Sequence, residues 1–410
     1  MKVIEQSADA RRIAAAQSYI ETEQRYGAHN YDPLDIVVER AQGVWLYDVE
    51  GRKYLDCISA YSAVNQGHRH PRIESALIAQ AKRATLVSRA MRNDRMPAFL
   101  QRLTEACGYE MALPTNTGVE AVETAIKLVR RWGYEVKGIP ENAAEIVVFN
   151  DNFHGRTTSV ISASSTPEYK RHFGPFMPGF VLATFGDLDA LARALNDNTA
   201  AILIEPIQGE GGVNVPPDGY LHRAWELCKE RRVLFIADEI QTGFGRTGDL
   251  FAQDHENVKA DVLLVGKALG GGYYPVSAAL ASAELMNLFA PGDHGSTFGG
   301  NPLASAVAQA ALDVVLEENL AENARKMGHI LMAGLREIRS PLIKEVRGRG
   351  LLVGVEFRDR ARPIADAMLK RGIACKDTQE NVLRFAPPLV IQRAEIELIL
   401  DTFGDVIRSF

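Results

Sequence analysis

Four short apolar runs, each closed by a polar residue, limit what this chain can fold into more than any other feature. They are "EIVVFN" (Glu145 to Asn150), "AAILIEP" (Ala200 to Pro206), "VLFIADE" (Val233 to Glu239) and "DVLLVGK" (Asp261 to Lys267). Each is rich in Val, Ile and Leu and nearly continuous, the pattern of a strand buried on both faces of a largely parallel sheet. Helical patterns lie between them. In "DGYLHRAWELCKERR" (Asp218 to Arg232), Leu221, Trp225 and Cys228 recur at helical spacing behind Asp218, the expected cap. This alternation specifies an α/β layer. From about Asn301 the pattern changes to long Ala- and Leu-rich helices, then "VRGRGLLVGVEFRD", a further helix and "NVLRFAPPLVI". A smaller C-terminal α+β domain is predicted there.

At 410 residues the chain is long enough for a large core and two unequal domains. Its net charge of -6 argues against a nucleic-acid partner. No stretch reaches the ~18 uninterrupted apolar residues of a membrane span. The start, "MKVIEQSADARRIAAAQSYIETEQRYG", has no long apolar segment and carries acidic residues unlike those of a transit peptide, so a cytoplasmic protein is expected. Cys57, Cys107, Cys228 and Cys375 stand far apart with no C-x-x-C, which removes the local zinc and redox patterns. They read as reduced packing residues, and no metal site is expected.

In an open α/β sheet, ligands gather beyond the carboxyl ends of the strands. That rule picks out Asn152 and Phe153, Glu205, Asp238 and Lys267. A nucleotide-hydrolysing reading needs G-x-x-x-x-G-K-[ST], but Gly266 and Lys267 are followed by Ala268, and Asp261 stands where the first glycine belongs. A dinucleotide-binding reading could use Gly243, Gly245 and Gly248. However, Asp238 to Thr242 separate these glycines from the strand, and "DLFAQDHENVKAD" is too short and polar for the helix that should follow. They make better sense as turn glycines beside a ligand. A third reading accommodates every strand end: pyridoxal phosphate held by a lysine as a Schiff base. It needs a partly desolvated, nucleophilic lysine, which Lys267 supplies between "VLLV" and "ALGGG". It also needs a carboxylate facing the ring nitrogen, which Asp238 supplies. Alone, Lys267 is a solvated strand-end lysine and Asp238 a turn cap; in this order they point to one chemistry.

The strings "ADEIQTGFGRTG", "LLVGKALGGGYYPVSA" and "GSTFGGNPL" resemble the class III, fold-type-I pyridoxal-phosphate aminotransferases. The resemblance runs in family order from "GAHNYDPLDIVVERAQGVWLYDVEGRKYLD" through "RFAPPLVI". It implies an α/β large domain at 62–305, with a mostly parallel central sheet flanked by helices. A small α+β domain would be built from an N-terminal segment, 1–61, and from 306–410. By the same resemblance, Lys267 carries the cofactor, Asp238 pairs with the pyridine nitrogen and Gln241 contacts the ring hydroxyl. In "TNTGVEAVETAIKLVRR", Thr117 and Gly118 precede a helix with Val122, Ile126 and Val129 on one face, and its free N–H groups suit an anion. The resemblance places the phosphate on Gly118 and Val119 beside Thr117, with Ser296 and Thr297 reaching it from a second subunit. A homodimer with shared sites is implied. Phe153 would stack on the ring; relatives carry Trp after this Phe, where His154 stands here.

Arginine suits carboxylates through its planar, bidentate fork. The resemblance makes Arg156 in "FHGRT" and Arg384 in "RFAPP" the clamps for 2-oxoglutarate and glutamate. Glu210 in "EPIQGEGG" matches the acid that neutralises Arg384 so that a diamine can enter. The strings "RYGAHNYDPLDIVVERAQG" and "CISAYSAVNQGHRHP" most resemble the branch of the family that acts on L-ornithine. In that branch Tyr31 would hydrogen-bond the ornithine α-carboxylate beside Arg156, and Tyr61 would line the pocket. The N-acetylornithine and 4-aminobutyrate branches share the same frame and stay open at this point. The intact lysine argues against a catalytically silent, ligand-binding relative.

Overall fold

The computed structural model describes residues 16–410; residues 1–15, the start of the expected N-terminal segment, lie outside the described residues. After a helical stretch at 16–26, strands β1 (Val38–Gln42), β2 (Trp45–Asp48) and β3 (Lys53–Asp56) form an antiparallel ribbon. Ile373–Ala374, from near the other end of the chain, completes this sheet by running parallel to β3.

The four apolar runs are all strands of the central sheet. Its members are β4 (Met111–Thr115), β5 (Glu145–Phe149), β6 (Phe180–Ala183), β7 (Thr199–Ile204), β8 (Leu234–Asp238), β9 (Val262–Val265) and β10 (Ser277–Ala281). They lie in the order β4-β10-β9-β8-β7-β5-β6, and only β10 runs against its neighbours. Continuous apolar sequence resolves into two interleaved faces, because successive side chains of a strand point to opposite sides. Leu234 and Ile236 of β8 pack with Val122, Ile126 and Val129 of the helix Gly118–Trp132, whereas Phe235 and Ala237 pack with Tyr220, Leu221 and Cys228 of the helix Tyr220–Glu230. Each large apolar side chain buried this way contributes roughly 1.5 to 3 kcal/mol. All four cysteines are buried and unpaired, as packing residues are.

One expected detail is corrected. Asp218 does not cap the helix Tyr220–Glu230: its side chain is almost fully exposed and pairs with Arg349. The cap position is Gly219, whose φ of 77° turns the chain into the helix. The orphan N–H groups of Gly219 and His222 donate instead to Glu256, at 3.0 and 3.1 Å.

The remaining strands are β11 (Ile343–Arg349), β12 (Leu352–Phe357), β13 (Ile373–Ala374, already placed beside β3), β14 (Lys376–Thr378) and β15 (Val382–Phe385). Four of them form a third sheet in the order β11-β12-β15-β14. The long helices Pro302–Glu317 and Leu320–Glu337 precede that sheet, and the helix Arg393–Arg408 ends the chain. The later glycines of "GFGRTG" serve this junction and not a ligand, a second correction. A Cβ on Gly245 (φ 90°) would stand 3.0 Å from Leu389, and one on Gly248 (φ 100°) 3.2 Å from Arg325. Between them Arg246 is fully buried and donates to the carbonyls of Leu351 and Pro387 and to Asn65 Oδ1, tying three separate segments together. No helix among the described residues is long and apolar enough to cross a membrane.

Candidate active site

A cavity of about 180 Å³ opens beyond the carboxyl ends of the central strands. Lys267, Asp238, Gln241, Gly118, Val119 and Phe153 all line it, although they come from four separate stretches of the chain. Lys267 follows β9 after the extended Gly266 and itself has φ of 44°. A left-handed lysine is strained backbone, the kind that concentrates at functional sites. Burial lowers the pKa of its amine, outweighing the opposing pull of Glu210.

Asp238 ends β8 with its carboxylate fixed from two sides. Oδ2 lies 2.7 Å from His154 Nδ1, and Oδ1 accepts the Ile240 N–H at 3.2 Å. His154, where the resemblance led to an expected Trp, is therefore more than packing: a fully buried side chain orients this carboxylate. Glu205, one strand away, accepts the Phe153 N–H at 2.9 Å. Burial, and then the charge of Asp238, push its carboxyl well above the usual range. The strand-end rule found Glu205; its bond to the Phe153 backbone had no signal in the sequence.

The helix Gly118–Trp132 presents its start to the cavity. As at any helix start, the first N–H groups have no intrahelical acceptor. Glu120 takes the N–H groups of Asn116 and Thr117, at 2.9 and 2.7 Å, and these bonds bring its carboxyl below the usual range despite burial. Gly118 and Val119 are left facing the cavity. Close packing surrounds them: a Cβ on Gly118 would stand 3.1 Å from Ile240, and one on Gly155 would stand 2.6 Å from Val119.

The two arginines have opposite environments. Arg384 is 3% exposed, and its Nη1 lies 2.7 Å from Glu210 Oε1. Burial raises the Glu210 pKa, but Arg384 and Lys267 reverse this and hold it below the usual range. Gln241 Nε2 reaches the same carboxylate at 3.4 Å, and a Cβ on Gly209 would collide with Gln241. The Tyr61 ring centroid is 5.2 Å from the Arg384 guanidinium. Tyr61 lies in a run of four left-handed residues, Ser59 to Ser62, an arrangement costing about 1 to 2 kcal/mol per residue. Nothing in the sequence announces it. Arg156 is exposed and pairs with no carboxylate among the described residues. Its guanidinium lies over the Tyr169 ring at 4.0 Å and near Phe153 at 5.4 Å.

Tyr61, Arg156, Glu210 and Arg384 stand outside the cavity lining, and so do Tyr31, Thr117, Ser296 and Thr297. Tyr31 is 75% exposed, in the segment before β1. Ser296 accepts from Asn116 Nδ2 and the Gly299 N–H, at 2.8 and 3.1 Å, and Thr297 is exposed. Thr117 immediately precedes the cavity wall at the cap of its helix.

The model of the aminotransferase class-III family matches residues 26–407. The ornithine aminotransferase of Brevibacillus brevis is 54% identical over 389 residues, which is 95% of this chain and 98% of that relative. A solved ornithine aminotransferase of Toxoplasma gondii, which has partial occupancy of PLP at its active site, is 43% identical with a TM-score of 0.95, covering 99% of this chain and 97% of that one. A solved acetylornithine aminotransferase of Elizabethkingia anophelis is 46% identical with a TM-score of 0.88, covering 96% of this chain and 99% of that one. The central sheet with its single reversed strand is thus that of a fold-type-I transferase. With sequence and shape agreeing over nearly the whole length, the chain belongs to the class III aminotransferases.

Proposed function

We propose that this protein is an ornithine aminotransferase: it moves the δ-amino group of L-ornithine to 2-oxoglutarate through pyridoxal phosphate. The products are glutamate 5-semialdehyde, which cyclises, and glutamate. The observation that carries this reading is the buried Arg384–Glu210 pair at 2.7 Å beside the lysine cavity. A clamp for a second carboxylate that is neutralised at rest suits an enzyme that must accept a diamine and a diacid in turn. Ornithine is favoured over N-acetylornithine by the 54% identity to the ornithine aminotransferase of Brevibacillus brevis over 95% of this chain, and by the TM-score of 0.95 to the Toxoplasma gondii ornithine enzyme against 0.88 to the acetylornithine enzyme.

The cavity's donor set fits the cofactor. Gly118 and Val119 at the helix start would hold the phosphate, and Phe153 would cover a ring face. Asp238, steadied by His154, would face the ring nitrogen, Gln241 the ring hydroxyl, and Lys267 would carry the group. When bound, the cofactor supplies an electron sink for the charge left as a proton leaves the carbon beside the transferred nitrogen. Lys267 Nζ is the base that takes the proton from the ornithine δ-carbon; its lowered pKa increases the unprotonated fraction near neutral pH. Glu205 keeps the Phe153 backbone in place by accepting its N–H.

Arg156 binds the ornithine α-carboxylate with Tyr31, and Tyr61 lines the space between that carboxylate and Arg384. For ornithine, Glu210 keeps Arg384 masked; for glutamate or 2-oxoglutarate, it releases Arg384 to bind the side-chain carboxylate. Ser296 and Thr297 serve the phosphate site of a second copy in a homodimer, a reading supported by the exposure of Thr297 and by the absence of both from the lining of this chain's own cavity. Of the described residues, 16–61 and 306–410 form the small domain and 62–305 the large one, supported by the pairing of β13 with β3. The acidic composition fits a cytoplasmic protein with no membrane or nucleic-acid partner.

A steady-state comparison of L-ornithine, N-acetylornithine and 4-aminobutyrate, each with 2-oxoglutarate, tests the substrate. The highest kcat/KM is expected for ornithine; a higher value for either of the others would overturn the assignment.

A further inference from the structure

The Arg156 guanidinium sits in a corner made by two aromatic rings. Tyr169 and Phe153 meet edge to face, with centroids 6.0 Å apart and planes at 77°. The guanidinium carbon lies 4.0 Å from the Tyr169 centroid and 5.4 Å from that of Phe153. Phe153 lines the lysine cavity, so the corner joins the outer arginine to the reacting end of the site. Tyr169 is half-buried on the short helix Pro167–Lys170, and its N–H donates to the Thr166 carbonyl at 3.2 Å. Burial raises the Tyr169 phenol pKa; Arg156, through its charge and a hydrogen bond to the phenol, pulls it down, and Glu210 pushes it up. The phenol is thus close enough to Arg156 and to Glu210 to feel both charges.

What a ring does for an arginine differs from what a carboxylate does. An ion pair fixes the guanidinium but neutralises it and occupies N–H donors, as Glu210 does to Arg384. An aromatic face attracts the cation through its π cloud, and the five N–H donors lie in the guanidinium plane, away from the stack. We propose that Tyr169 is the positioning residue for Arg156, holding the guanidinium beside Phe153 by its ring and phenol oxygen, with the charge unpaired and the remaining N–H donors left for a substrate carboxylate. This makes Tyr169 a determinant of carboxylate affinity in both half-reactions. The proposal rests on the reading of Arg156 as the substrate clamp.

A double-mutant cycle tests it, read by KM for L-ornithine and 2-oxoglutarate and by the dissociation constant of glutarate, a dicarboxylate that cannot react. Tyr169→Leu should raise all three values by about three- to tenfold while kcat changes less than about twofold and cofactor absorbance stays the same. Tyr169→Phe keeps the ring and should hold them within about twofold of the parent. In an Arg156→Ala background, Tyr169→Leu should have no further effect. If Tyr169→Leu does not fold, Tyr169→Gln gives the same comparison at a half-exposed position. Unchanged affinities in Arg156→Ala would remove the clamp assignment itself. A loss in Arg156→Ala, combined with no loss in Tyr169→Leu or an equal loss in both backgrounds, would overturn the Tyr169 proposal and leave the clamp standing.

Discussion

Arg384 and Arg156 are the same side chain placed under opposite rules. Arg384 is 3% exposed and cannot keep a bare charge out of water, so Glu210 accompanies it at 2.7 Å. Arg156 is exposed and is held by an aromatic ring that leaves its charge unpaired. Of these two arginines the buried one has the carboxylate, and the partner decides what each can do. A paired arginine is a switch, closed until something better than Glu210 arrives. A stacked one is a constant anchor, available to every substrate. A diamine and a diacid share one carboxylate and differ at the other end, so one constant and one switched clamp match them.

The largest expected effect ignores the comparison and removes what both clamps serve. Lys267→Ala should abolish turnover with every substrate while leaving the far-UV circular dichroism intact; measurable steady-state turnover would end the assignment of Lys267 as base.

Next come the clamps. Truncating one member of a buried charge pair costs about 2 to 5 kcal/mol. Arg384→Ala should therefore lower kcat/KM for 2-oxoglutarate and glutamate by about a hundredfold or more while sparing ornithine. Arg156→Ala should weaken both half-reactions. Equal patterns in the two variants, measured by single-turnover kinetics, would erase the distinction between switch and anchor.

Tyr31→Phe should act more narrowly. A hydrogen bond to a charged group is worth about 1.5 to 3 kcal/mol, so ornithine efficiency should fall by at least about tenfold. Glutamate and 4-aminobutyrate should change much less. A uniform fall across the three amines would make Tyr31 a packing residue.

The smallest effect is that of pH on the mask. The folded-state pKa of Glu210 is lowered, so its pairing is complete above the ordinary carboxylate range and is lost only as pH falls through the lowered value. Between about pH 6 and 8 the ornithine half-reaction should show no ionisation from Glu210. A Glu210→Gln variant that altered the pH profile in this range would contradict the masked state.

Much of this arrangement was legible in the chain because it is local. Val, Ile and Leu runs such as Leu234 to Ala237 declare buried strands, and the strand-end rule reaches Asp238, Glu205 and Lys267 without any knowledge of neighbours. What escaped depends on partners far away in sequence. Asp218 looked like a cap until Glu256 took the helix N–H groups, and Gly245 looked like a ligand-side turn until Leu389 packed against it. His154 was visible only as a departure from relatives; its bond to Asp238 spans 84 residues. Tyr169 carries no motif at all, and its meaning lies in the arginine lying over its ring.

The central claim is that Glu210 alone makes Arg384 a switch, and Glu210→Ala followed in single turnovers of each half-reaction tests it most directly. With the mask gone, glutamate should bind more tightly. Ornithine should react more slowly by about tenfold, since the bare arginine draws its α-carboxylate into the wrong end of the site. Opposite changes in the two half-reactions are the predicted result. Unchanged rates and affinities in both would show that the Arg384–Glu210 pair is structural and that the two clamps do not differ in kind.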